Sequence, residues 1–222
     1  MPKRIVMTEK EGREIYLSNP ICLTHLDRAV ATDAVGNALT YSGSSFSTGK
    51  FDNALSSGIA TVNVPNANMY GKDFTIACWY SKINLASENS IGVRVNCTSD
   101  WSEFAQIGFN LYKSSQYFFS LLLANSSLNK WVSIEALRDI PSGDDGIFHF
   151  IAITYRSNVN QFNVYLDGIL KQTATSPLYY NGNQGRISIR SMGAVLDEVA
   201  IVEGILWESD FTPPTKPFKI KK

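Results

Sequence analysis

The sequence predicts an all-β sandwich of two curved antiparallel sheets. Three observations predict it. Short apolar runs, alternating or continuous, recur along the chain with Gly, Asn, Ser and Asp clustered between them. No stretch carries a long helical period. The length of 222 residues suits one β-sandwich domain, which can bury a large core without disulfide staples.

The elements follow in order. ICLTHL (21–26) opens the series, and Ile59 with ATVNV carries a strand to residue 64. FTIACWYSKI (74–83), IGVRVN (91–96), FAQIGFNLY (104–112), YFFSLLLA (117–124) and WVSIEAL (131–137) read as strands. FHFIAITY (148–155) is apolar on both alternating faces, which suits a central strand covered on both sides. In FNVYL (162–166), Phe162, Val164 and Leu166 alternate with Asn163 and Tyr165. Asp167-Gly168 then supplies a tight hairpin into Ile169 and Leu170. RISIR (186–190) and VLDEVAIV (195–202) close the set.

The ends differ. Residues 1–20 are charged and weakly patterned and read as an arm or linker. Residues 21–218 form the sandwich, and 219–222 form a basic tail. Pro213, Pro214 and Pro217 forbid a continued central strand and favour an extended exit along the surface.

Composition excludes several function classes. Lys plus Arg equals Asp plus Glu, at 20 each, so no charge-driven partnership with nucleic acid or an anionic membrane is expected. Cys22, Cys78 and Cys97 are odd in number without CxxC spacing and read as buried reduced thiols. The first residues lack the apolar run of a secretory signal. Nothing approaches the ~18 apolar residues of a membrane span. A soluble chain made in a cytoplasm, without membrane insertion, is the expectation.

The order of the pieces carries a resemblance. LTHLDRAVATDAVGN, GKFDNAL, a strand ending in VP, and DFTIACWY form the first half. FHFIAITY, FNVYLDGIL, LDEVAIV and FTPPTKPF form the second. Over residues 21–218 this series resembles the laminin-G-like, concanavalin A-like lectin/glucanase domains. The FTPPT-type ending resembles those of bacteriophage tail and virion proteins. The resemblance implies a jelly-roll whose first strand, near ICLTHL, pairs with the last, near LDEVAIV. It implies a non-catalytic carbohydrate-binding or adhesion module of a phage or prophage virion, made in the host cytoplasm. Its partners would be a host-surface glycan and, through the N-terminal arm, other virion proteins. Two alternatives stay open: a structural decoration domain without a glycan site, and a hydrolase or lyase with acids from separate strands.

Asp197 and Glu198 form the acid pair to test. Glycosidases need two carboxyl groups flanking the bond, ~5–10 Å apart. The glucanases of this fold present theirs on one strand, as Glu, Asp two on, and Glu two or three further. Here residue 195 is Val, 199 is Val and 200 is Ala, so the constellation is missing. Strand alternation groups Asp197 with Val195, Val199 and Ile201 on an inward face and sends Glu198 to the opposite, solvated one. Only His25 and His149 could serve as imidazole bases, and His149 sits inside the central strand as a packed, hydrogen-bonded residue.

Calcium-bearing relatives use an Asp-x-x-Gly-Asn loop near the first strand together with the Asp of the LDEV-like strand. The resemblance therefore implies Asp33, Asn37 and Asp197 as calcium ligands, drawn from Asp33-Ala34-Val35-Gly36-Asn37. The same loop also reads as a simple turn, as does Asp144-Asp145. For glycan contact, flat aromatic rings beside short amides are needed. Tyr179 and Tyr180 with Asn181 and Asn183 supply one such loop, and Trp101 beside Asp100 and Glu103 another. Trp79 and Trp131 fall in strand-like runs and read as core.

Overall fold

A computed structural model describes residues 14–64, 69, 71–81, 91–96, 106–113, 117–125, 130–138, 146–177 and 185–221. The strands are β1 (Tyr16–Leu17), β2 (Pro20–Thr24), β3 (Leu39–Thr48), β4 (Asn53–Asn63), β5 (Phe74–Ser81), β6 (Ile91–Asn96) and β7 (Gln106–Lys113). They continue as β8 (Tyr117–Asn125), β9 (Lys130–Arg138), β10 (His149–Arg156), β11 (Gln161–Leu166), β12 (Ile169–Thr175), β13 (Arg186–Glu203) and β14 (Lys219–Ile220). Among the described residues the helical content is one 3-10 turn, Ser157–Val159, and no helix is long and apolar enough to cross a membrane.

The strands form an antiparallel jelly-roll sandwich hinged on β13. Its first half, from Arg186 to Met192, runs between β4 and β6. Its second half runs between β5 and β2. The pairing with β4 shifts register between Met192 and Leu196, where the strand passes from one sheet to the other. One sheet is thus β3-β4-β13-β6-β7-β8-β9, and the other is β2-β13-β5-β10-β11-β12. The first long-range pairing expected from sequence is present: Thr24 lies opposite Val199. RISIR and VLDEVAIV, read as two strands, are one. The pairing β1-β14 is parallel and stands apart.

The β5 and β10 strands are buried on both faces because two apolar layers sandwich their sheet. Ile76, Cys78 and Tyr80 of β5, with Ile151 and Ile153 of β10, face the inner core shared with Leu55, Val93 and Ile187. Ala77, Trp79, Phe150 and Ala152 face the other way, into a second layer. That layer is roofed by Ile15, Leu17, Leu206, Trp207 and Phe218. Trp207 and Phe211 stack with centroids 4.1 Å apart at 11°, a geometry worth about 0.5–1.5 kcal/mol beyond its buried area.

The FTPPT segment is therefore the lid of a second core as well as an exit. The sequence boundary at residue 20 is corrected for the same reason. Ile15 and Leu17 are buried in this layer, and Lys219–Ile220 of the expected basic tail is β14. Alternating apolar residues at both ends make them part of the domain.

The Asp167-Gly168 hairpin has the expected form, with φ of 51° and 80°, as a two-residue turn matched to strand twist requires. It also anchors the lid. Phe211 N–H donates to the Gly168 carbonyl at 2.8 Å, and Leu170 N–H donates to Asp210 Oδ1 at 2.8 Å. His149 is partly buried and hydrogen-bonded as expected, its Nδ1 2.8 Å from Asp167 Oδ2. Cys22 and Cys78 are free and buried. Cys97 lies outside the described residues.

Candidate functional site

The two acids of LDEV sit on a β-bulge. Asp197 stands opposite Trp79 of β5, and Ala200 stands opposite Ala77. Glu198 and Val199 together therefore oppose Cys78 alone. Glu198 absorbs the extra length with φ of 52°, in the left-handed region most side chains avoid. The bulge resets alternation. Leu196 faces the inner core before it, and Val199 and Ile201 face the same core after it. Asp197 is thus not on the face of Val199 and Ile201; it shares Trp79's side, toward the second layer.

Glu198 is not solvated either. It is 1% exposed. Phe218 N–H donates to Glu198 Oε2 at 2.9 Å, and Phe51 N–H donates to Asp197 Oδ2 at 2.9 Å. Phe51 and Phe218 both pack on the second layer, so both carboxyl groups turn to one side. Simple alternation would have separated them; the extra residue brings them together. Each pins a backbone segment to the sheet edge.

The electrostatics of this corner follow from burial. His25 Nδ1 lies 2.5 Å from Glu198 Oε1. That hydrogen bond raises the imidazole above its ordinary 6.5, against the opposing effect of burial; the charges of Glu198 and Asp27 add to the rise. Burial pushes the Asp197 carboxyl up to about 8. The Phe51 N–H works against this, while the charges of Glu198 and Asp27 reinforce it. Among the described residues Asp197 Oδ1 is buried and has no hydrogen-bond partner. Asp197 is therefore largely a neutral acid at pH 7 beside the His25–Glu198 pair.

The DAVGN loop closes on itself. Asp33 Oδ1 accepts the N–H groups of Val35 at 3.0 Å and Asn37 at 2.7 Å. Oδ2 accepts the Asn37 side-chain amide at 3.0 Å and Leu23 N–H at 3.4 Å. The same amide donates to the Ile21 carbonyl at 2.9 Å. Both oxygens of Asp33 thus face N–H groups, whose positive ends take the lone pairs a cation would need. Asp197 bonds the 49–51 loop instead and shares no partner with Asp33. The residues Asp33, Asn37 and Asp197 do not fit a common calcium ion: their hydrogen bonds make the loop an Asx-type turn. Among the described residues no three His, Cys, Asp or Glu side chains gather as a metal cage.

Beside the acid corner lies an open cleft of about 710 Å³. Tyr16, Leu23, His25, Phe218, Lys219 and Ile220 line it, with Ala34 of the DAVGN loop. Its walls are mostly apolar. His25 reaches it from the sheet, its Nδ1 held by Glu198 behind. Glu14 sits at the rim: Tyr16 hydroxyl donates to its Oε2 at 2.8 Å, and Lys219 Nζ donates to its Oε1 at 2.9 Å. Lys219 Nζ also lies 5.9 Å from the centre of the Tyr16 ring.

The model of a family described as Laminin_G_3, concanavalin A-like lectin/glucanases superfamily, matches residues 56–209. The chain belongs to that superfamily. Solved structures agree with this fold. Domain 4 of AbnA, an extracellular arabinanase from Geobacillus stearothermophilus solved with arabinotriose, superposes with a TM-score of 0.60 at 14% identity, covering 85% of this chain and 94% of that one. The carbohydrate recognition domain of Emp47p gives 0.57 at 11% identity, covering 86% and 98%. The binding domain of botulinum neurotoxin serotype D gives 0.56 at 14%, covering 85% of this chain and 49% of the toxin fragment. At such identities the likeness concerns the fold alone. Among curated proteins nothing matches the chain.

For this concanavalin A-like domain, the aromatic loops expected to touch glycan fall outside the described residues: Tyr179, Tyr180, Asn181, Asn183 and Trp101. So does Asp144-Asp145. Trp79 is core, as expected. The sequence reading missed the cleft. Its residues come from the two chain ends and β2, and His25 meets Glu198 across 173 positions. The local signal was faint: Ile15 and Leu17, then Phe218 and Ile220, alternate with polar neighbours for only two residues each.

Proposed function

We propose that this domain is a non-catalytic carbohydrate-binding or adhesion module. One observation carries the reading. The adjacent acids, the first candidates for hydrolysis, are buried and tied to backbone N–H groups, which favours binding over hydrolysis. The superfamily and its structural neighbours, which include a carbohydrate recognition domain and an arabinanase domain solved with arabinotriose, support a glycan as the ligand class. The virion setting, with a host-surface glycan as target and other virion proteins as attachment, rests on the order of the motifs and the FTPPT-type ending.

The test pairs two assays on one preparation. Binding on an array of bacterial surface glycans, without release of reducing sugar from the bound polysaccharides, is expected. Turnover of a bound polysaccharide would sink the non-catalytic reading. Silence across the array, with stable incorporation into particles, would favour a purely structural domain.

A further inference from the structure

We propose that the cleft between β1, β14 and the end of β2 is a binding site for a carboxylated sugar, of the uronic acid class. The inference rests on the carbohydrate-binding reading above and assigns that function a place and a ligand chemistry.

Three features of the cleft converge on this class. The first is the imidazole of His25. Its Nδ1 is taken by Glu198 Oε1, and Glu198 is itself buried and fixed by Phe218 N–H. That leaves Nε2 as the ring nitrogen open to the cleft. A carboxylate behind the ring keeps it oriented and supports the protonated form. Among the described residues Nε2–H has no hydrogen-bond partner, and a carboxylate is a strong complement for such a donor.

The second feature is the wall. Tyr16 is 38% exposed at the edge and Ile220 is partly exposed, over a floor of Leu23 and Phe218 that is almost wholly buried. Such a surface takes the C–H face of a pyranose ring while the hydroxyl groups stay toward solvent. The third is charge. Lys219 lines the cleft, and Lys216 and Lys219 converge on Glu14 at 3.4 and 2.9 Å. Two ammonium groups against one carboxylate leave the rim one positive charge to spare for an anion. A neutral sugar would use the wall but leave the His25 donor without its complement. A simple carboxylate would use His25 but not the wall.

The test is calorimetric titration of the full chain with a galacturonate oligomer, a glucose oligomer of equal length, and acetate. The galacturonate oligomer is expected to bind at least tenfold more tightly than either control. His25→Gln and Tyr16→Ala should each weaken it at least tenfold. Lys219→Gln, at an exposed side chain, should weaken it severalfold and serves where His25→Gln fails to fold. Equal affinity for the neutral oligomer, no galacturonate binding, or full binding by Tyr16→Ala and Lys219→Gln would overturn the site. The same variants on the glycan array separate this failure from a wider one. Array binding unchanged in all of them removes the cleft and keeps the module; silence of the wild type in both assays removes both.

Discussion

Replacing Asp197 with asparagine should stabilise the fold at neutral pH. Asp197 is wholly buried, and burial pushes its carboxyl from 3.8 up to about 8. In the unfolded chain it ionises near its ordinary value. Between those two pH values the folded state holds a proton that the unfolded state has released. Stability linked to this group is therefore greatest below the unfolded value and falls as pH rises toward 8. Each pH unit in that window is worth about 1.4 kcal/mol, so at pH 7 the linkage costs the fold on the order of 4 kcal/mol.

Asparagine has no such proton to hold. Its oxygen can keep the Phe51 N–H, but its amide then falls where Oδ1 has no partner. An unmet buried donor returns about 1–3 kcal/mol of that gain. Asp197→Asn should thus gain about 1–3 kcal/mol at pH 7 and lose its advantage near pH 5. Urea unfolding of both proteins at several pH values between 5 and 8 measures the difference. A variant less stable at pH 7, or a difference independent of pH, would refute the neutral-acid account. A difference independent of pH would mean that the carboxyl group is not held neutral by burial in the folded protein.

Three other outcomes follow from the same geometry. Glu198→Ala removes the partner of His25 and of the Phe218 N–H. It should cost about 2–4 kcal/mol in urea unfolding and expose the 216–221 segment to trypsin; unchanged stability and protection would show that the glutamate fastens nothing. Gly168→Ala should cost about 2–4 kcal/mol, because φ there is 80° and a methyl group would collide with the Phe211 carbonyl. A near-neutral melting shift would mean that the hairpin and the lid are not locked together. A calcium chelator should leave the melting midpoint unchanged, since the Asp33 oxygens are taken by N–H groups; a clear fall would restore the calcium expectation.

The two-faced strands were legible because their burial is two-faced. FHFIAITY is apolar at every other position on both sides, and both sides meet a packed layer. Asp-Gly at 167–168 was legible because few other pairs accept two positive φ values in succession. LTYSGSSFST was not legible as β3. It pairs with β4 alone, much of it is half-buried or exposed, and its serines carry no clear alternation. The second apolar layer was hidden for a different reason. Trp207, Phe211 and Phe218 are separated by turns and prolines, so no local period announces that they share a roof. The DAVGN loop carried two readings in sequence, a turn and a metal loop; hydrogen bonds from Val35, Asn37 and Leu23 decide for the turn. The acid corner failed at one residue. Alternation is a sound rule for an unbroken strand, but nothing in VLDEVAIV marks Glu198 as a bulge, and the left-handed backbone there reverses the assignment of everything upstream.

That reversal removes one argument against catalysis and turns the question to access. Two carboxyl groups on the same side, one held neutral near pH 7 beside another paired with a histidine, superficially match the division of labour in a glycosidase. Access is where the two readings differ. To meet a sugar, Asp197 and Glu198 would have to release Phe51 and Phe218. Each release breaks a backbone hydrogen bond, worth about 1.5–3 kcal/mol where the acceptor is charged and less at the neutral Asp197. Each also returns an aromatic side chain toward water, at about 1.5–3 kcal/mol for full exposure. The sum, on the order of 5–10 kcal/mol, approaches the roughly 5–15 kcal/mol that holds an ordinary domain folded. An active site that opens only by such a rearrangement would turn over rarely. The same interactions, left closed, join the 49–51 loop and the C-terminal segment to the strand that links the two sheets.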